Sequence, residues 1–178
     1  MSDSFEETPP EIKSLDELNA GKAFGVGVIS TCLMSLVPGL NQACCIHYCI
    51  GAFLTIWVYT SSNQATIPVG HGIWVSFKAV LVGTLFGTAI YWGYTFAQNG
   101  GDLTVFKEQI FEGLAAQGRD DPSIREMIDK WVPDEAGPGF IALASIAISI
   151  GAVFSSLFGA AIGGSLGAAV FKKGTLAQ

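Results

Sequence analysis

Residues 138–171 read PGFIALASIAISIGAVFSSLFGAAIGGSLGAAVF, 34 residues without one charged side chain. A helix needs about 20 apolar residues to cross the hydrocarbon of a bilayer, so this stretch is long enough to span at a tilt or with one end in water. Small side chains recur every four positions, at Ala147, Gly151, Ser155, Gly159, Gly163 and Gly167. A second stripe beside it holds Ala152, Ser156, Ala160, Gly164 and Ala168. Positions four apart share a helix face. Lipid tails are as apolar as leucine, so helices in a bilayer gain from close backbone contact, which small residues permit. Each glycine costs roughly 1 kcal/mol of helix propensity against alanine in water. The pattern therefore reads as a packing surface.

Outside this stretch the charges are just as unevenly placed. From Ala23 to Ala97 the only charged residue is Lys78. All fifteen acids fall within residues 1–22 and 98–136. Charged residues make up 13% of the chain, about half the usual share of a soluble domain. The net charge of −6 and the scattered basic residues exclude a nucleic-acid footprint. The acidic start, with Asp3, Glu6 and Glu7, lacks the basic-then-apolar order of a signal peptide, so the first span is expected in the mature protein.

The sequence thus predicts an all-α membrane bundle of four transmembrane helices with an amphipathic helical hairpin between spans 3 and 4. A polar tail covers 1–13 and the membrane domain 14–178, with spans at about 20–39, 42–60, 73–97 and 138–171. Ser14-Leu15-Asp16-Glu17 fits a capping box that starts the first helix. Pro38-Gly39 and Asn41-Gln42 turn the chain into the second span, which ends in Thr60–Gln64. Residues 67–72 form a connector, and the third span carries Trp74, Tyr91, Trp92 and Tyr94 toward its ends, where aromatic belts form. Lys78, about one turn inside, can snorkel to the headgroups. Ala79, Gly83 and Gly87 give this span a shorter small-residue stripe, and Gly21 and Gly25 start one on the first span.

In the insert at 98–136, Asp102 caps a helix with Leu103, Phe106, Ile110 and Leu114 on one face. Gln117-Gly118-Arg119 breaks it. Asp121-Pro122 starts a second helix, with Ile124, Met127, Ile128 and Trp131 on its apolar face, and Pro133 ends it. The hairpin is expected on the bundle rim or on a partner. Lys13, Lys22, Lys78, Lys172 and Lys173 share one side of a four-span arrangement, so the positive-inside rule puts both termini in the cytoplasm.

Candidate chemistry is sparse. Cys44, Cys45, His47 and Cys49 are the one cluster of metal-ligand types. Cys45 and Cys49 share one face and Cys44 and His47 another, so four ligands do not converge on one zinc without a partner residue. Cysteine is also a common small core residue. His47 or His71 is a possible haem or pigment ligand. The leading reading takes no cofactor. No span contains Asp or Glu, and no Ser-His-Asp set, Walker motif or metalloprotease helix occurs, so no enzyme is expected.

Taken together, Ser76-Phe77-Lys78-Ala79 with Gly83, the hairpin Lys107–Trp131, the start Pro138-Gly139-Phe140 and the close Phe171-Lys172-Lys173 carry a resemblance. Over residues 20–173 the chain resembles a family of small four-span bacterial membrane proteins of unknown function. The resemblance implies a multi-pass protein of the bacterial inner membrane and no catalytic residues. The cysteine-rich second span and glycine-rich fourth depart from it. The function expected is a non-catalytic membrane subunit or scaffold, meeting lipid and a protein partner or second copy through span 4. The alternatives are a small oligomeric transporter or channel and a pigment- or haem-binding protein.

Overall fold

The computed structural model describes residues 14–37, 46–100, 102–119 and 121–172, and every regular element in them is helical. A one-turn 3-10 helix, Leu15–Glu17, precedes α1 (Gly21–Ser35), α2 (Ile46–Asn63) and α3 (Val69–Asn99). Then come α4 (Thr104–Ala116), α5 (Pro122–Trp131) and α6 (Pro138–Gly159). A π-helical turn, Ala160–Gly164, leads into α7 (Ser165–Val170). The chain divides into two compact units, Met1–Thr88 with Ala152–Gln178, and Ala89–Gly151.

Several boundaries differ from the sequence reading, each for a physical reason. The Ser14–Glu17 box closes only the 3-10 turn, with the Ser14 amide donating to the Glu17 carboxylate at 3.3 Å. Leu18 then turns extended and enters the core, and Asn19 accepts from the Gly21 amide at 2.8 Å to start α1 afresh. Residues 69–72 are helical and not a connector: Pro68 directly precedes α3, and its carbonyl takes the Gly72 amide at 3.0 Å. Helix α2 continues through the polar Thr60–Asn63, because Asn63 donates back to the Tyr59 carbonyl at 2.9 Å. The turn at Pro38–Gln42, Cys44, Cys45, the tail, Lys13 and Lys173 lie outside the described residues.

Among the described residues two helical runs, Val69–Gln98 and Pro138–Val170, are long and apolar enough to cross a bilayer. Helix α1 has 15 residues, short of that length, and α2 ends in a polar turn.

In the first unit several polar side chains are buried while many large apolar ones face outward. Thr31, His47, Thr55, Ser76, Thr84 and Ser156 are buried. Ile29, Leu33, Trp57, Trp74, Phe154 and Phe158 are exposed. Three of these hydroxyls donate one turn back to carbonyls of their own helices: Thr55 to Gly51 (2.7 Å), Ser76 to Gly72 (2.8 Å) and Thr84 to Val80 (2.8 Å). A compact apolar cluster of Leu18, Ala23, Ile56, Tyr59, Ile67 and Val75 closes one end.

In the second unit, α4 and α5 form the hairpin. Gly118 at φ +68° makes the left-handed turn that ends α4, a backbone conformation that glycine adopts without the Cβ penalty. Phe106 of α4 lies against Trp92 of α3, ring centroids 5.1 Å apart.

Candidate functional site

The small-residue stripes of the final helical run meet two different neighbours. A Cβ built on Gly159 would strike Tyr48, one on Gly163 the Cys49 carbonyl oxygen, and one on Gly167 the Ile56 side chain at 2.8 Å. These three glycines therefore follow α2 turn by turn. The second stripe follows α3. A Cβ on Gly164 would strike the Ser76 hydroxyl and come against the Gly72 carbonyl, one on Gly72 would lie 3.1 Å from the Ala168 methyl, and the Ser156 and Thr84 hydroxyls are 3.5 Å apart.

The π turn sits where both contacts meet. An α-helix of 3.6 residues per turn carries a strict four-residue spacing around its axis by about 40° each step. A turn closed by i→i+5 bonds is wider and reverses that drift. Ala160–Gly164 thus keeps Gly163 and Gly167 facing α2 while Gly164 and Ala168 face α3.

The remaining stripe residues divide. Ala79, Gly83 and Gly87 of α3 receive α1 instead of α6. A Cβ built on Gly27 would lie 2.8 Å from the Ala79 methyl, one on Gly83 2.6 Å from the Val28 carbonyl oxygen, and one on Gly87 2.8 Å from the Ser35 Cβ. Between α1 and α2 the fit is reciprocal, with Thr55 seated on Gly27 and Thr31 on Gly51. Ser155 is half-buried, and Ala147 and Gly151 are exposed. Among the described residues nothing lies within 4 Å of a Cβ on Gly151 or Gly25.

His47 is 1% exposed, with its ring 3.8 Å from that of Tyr48. His71 shares a 3.0 Å hydrogen bond between its Nε2 and the Tyr59 hydroxyl, and the two rings stack. The Cys49 carbonyl borders Gly163. Among the described residues no three His, Cys, Asp or Glu side chains stand close enough to hold a metal ion. Lys78 lies over the Trp74 ring, 4.8 Å from its centroid, a cation–π contact the spacing of four permits.

A residue that the sequence reading passed over holds the second unit together. Lys107 is 9% exposed, and its ammonium donates to Asp134 at 2.7 Å and pairs with Asp129 at 3.5 Å. The Leu103 amide donates to the Asp134 carbonyl at 2.8 Å, drawing the segment after α5 onto the start of α4. The signal was available: Lys107 stands four residues after Leu103 and three before Ile110, on the apolar face itself.

Compared with known protein families, curated proteins and solved structures, the chain matches none. Its reading therefore rests on its own geometry.

Asp121 caps α5 through the Ser123 amide (2.9 Å) and hydroxyl (2.8 Å). Those bonds, the backbone one first, hold its carboxyl below the usual aspartate range. A depressed value means the cap is at full strength above the ordinary aspartate pKa and is lost as pH falls through the folded-state value. Asp121→Ala should speed amide exchange in the first turn of α5 at neutral pH. Asp121→Asn should retain the cap and remove its acid sensitivity, read by the same exchange experiment at several pH values.

Proposed function

We propose that the protein is a non-catalytic integral membrane subunit or scaffold, crossing the bilayer four times and joining a second copy or another protein through the Pro138–Gly151 part of its last span. One observation carries this reading. Many large apolar side chains face outward here, while hydroxyl and small residues take up much of the interior beside the one apolar cluster. In the best apolar window of Pro138–Val170 only 11% is buried, whereas the core helix of a soluble protein would be mostly covered. Lipid is the surrounding that makes both arrangements favourable.

The length of the fourth span supports the partner. Its lower stripe is occupied by α2 and α3, and Ala147 and Gly151 continue the same spacing on an open face. The resemblance to small four-span bacterial proteins, and the basic residues that put both termini in the cytoplasm, belong to this proposal. Native mass measurement after gentle detergent extraction tests it. An oligomer or complex is expected, and Ala147→Leu with Gly151→Leu should convert it to monomer without unfolding it, because these side chains would enter open space. A monodisperse monomer of the unaltered protein, or recovery of folded protein without detergent, would reject the reading.

A second reading, a small oligomeric transporter or channel, draws on His47, an ionisable group buried on the same α2 face as Thr55. Reconstituted vesicles that pass neither ions nor small solutes would remove it.

A further inference from the structure

Helix α5 leaves an apolar edge uncovered. Met127 is 54% and Trp131 67% exposed, whereas Ile124 and Ile128 are half-buried. Arg125 and Asp129 show which side faces α4: the Arg125 guanidinium lies over the Phe111 ring at 4.9 Å, and Asp129 reaches Lys107. At about 100° per residue, Met127 and Trp131 point away from that side. Lys130 borders the exposed edge, Asp129 falls on the opposite face, and Glu126 lies on the flank beyond Lys130. A basic residue at the rim of an apolar edge, nearer to it than either acid, is the charge order that suits a lipid headgroup layer.

The hairpin is also held at the right level. After Asn99 and Gly100, the latter at φ +60°, the chain turns back, because Phe106 meets Trp92, seven residues before the end of α3. Exposed Tyr91 and Tyr94 mark this part of α3 as a stretch of amphipathic aromatics, the residues that gather at membrane interfaces. Trp131 is tethered seven residues before Pro138, so it lies within about 25 Å of the start of α6.

We propose that α5 is an interfacial helix whose Met127 and Trp131 insert into the headgroup–acyl boundary of the same bilayer, with Lys130 toward lipid phosphates. This rests on the membrane-spanning reading above. The test uses the full chain in vesicles of phosphatidylcholine and phosphatidylglycerol, with Trp57, Trp74 and Trp92 replaced by Phe so that Trp131 reports alone. Its emission should be blue-shifted and should lose most of its intensity when lipids brominated high on the acyl chain are used. Lipids brominated near the chain end should quench it less.

Water-like emission, quenched by acrylamide and untouched by bromolipid, would overturn the inference. Blue-shifted emission that no bromolipid quenches would assign the edge to a protein surface and overturn it too. Phe154, midway along Pro138–Val170 and 69% exposed, separates the two levels of the argument. With Trp131 also replaced by Phe, Phe154→Trp should be quenched best by the deepest bromine. If it is and Trp131 is not, only the α5 inference fails; if it is not, the membrane reading falls with it. In unaltered protein, a phospholipid carrying a photoreactive group near its glycerol should label the Ile124–Trp131 peptide, and no labelling there would count against insertion.

Discussion

Gly163→Ala should lower the stability of the first unit by about 1–2 kcal/mol, although alanine is the better helix former. The added methyl would land on the Cys49 carbonyl oxygen and within 2.9 Å of the Ala52 methyl. A backbone carbonyl has no rotamer to escape into, so the helices must part. Overpacking of this kind costs about 1–3 kcal/mol and at times more. Alanine's propensity returns up to roughly 1 kcal/mol of that. The control is Gly25→Ala, inside α1 of the same unit. It meets nothing within 4 Å among the described residues and should leave stability unchanged or raise it by up to about 1 kcal/mol. Reversible unfolding in mild detergent, followed by the lost helical signal, checks both. Equal effects at the two positions would mean that glycine serves the helix only through its backbone.

Lys107→Met should open the α4–α5 hairpin. Methionine keeps the apolar stem and removes the ammonium, so Asp134 and Asp129 lose their common cation. Amide exchange across α4 should accelerate on the order of tenfold, since charge-assisted hydrogen bonds are the stronger ones and this one bridges residues 27 apart in sequence. Lys107→Arg should restore much of the protection. The pH dependence follows from the same geometry. The hydrogen bond to Asp134 pushes the lysine above its usual range, with partial burial opposing. A raised value means the contribution is complete below the ordinary lysine pKa and is lost as pH rises through the folded-state value. The hairpin should therefore hold through neutral pH and loosen only in strongly alkaline solution. Methionine in place of lysine should abolish that alkaline transition.

The helices themselves were legible because their causes are local. Asp121-Pro122 begins α5, Gly118 ends α4, and four-residue spacing marked the face that Gly159, Gly163 and Gly167 turn to α2. The 3-10 turn at Leu15–Glu17 was read as the start of a long helix because a capping box has the same residues in either case. Burial of Leu18 with Ile56 and Tyr59 decides the outcome, and no window around Ser14 contains that information. Lys107 was passed over because its partners, Asp129 and Asp134, are more than twenty residues away. That one run of small residues serves two neighbours, each with its own stripe, became visible only with α2 and α3 in place.

The wide turn at Ala160–Gly164 sets what kinds of change this helix tolerates. Its extra residue works like a shim. The same residues wound as ordinary α-helix would swing Ser165–Val170 by about a quarter turn. Gly167 and Ala168 would leave Ile56 and Gly72, and bulkier Leu166 or Val170 would arrive in their place. The outward apolar positions can drift among leucine, isoleucine, valine and phenylalanine, but the wide turn between Gly159 and Gly167 is held by two neighbours at once.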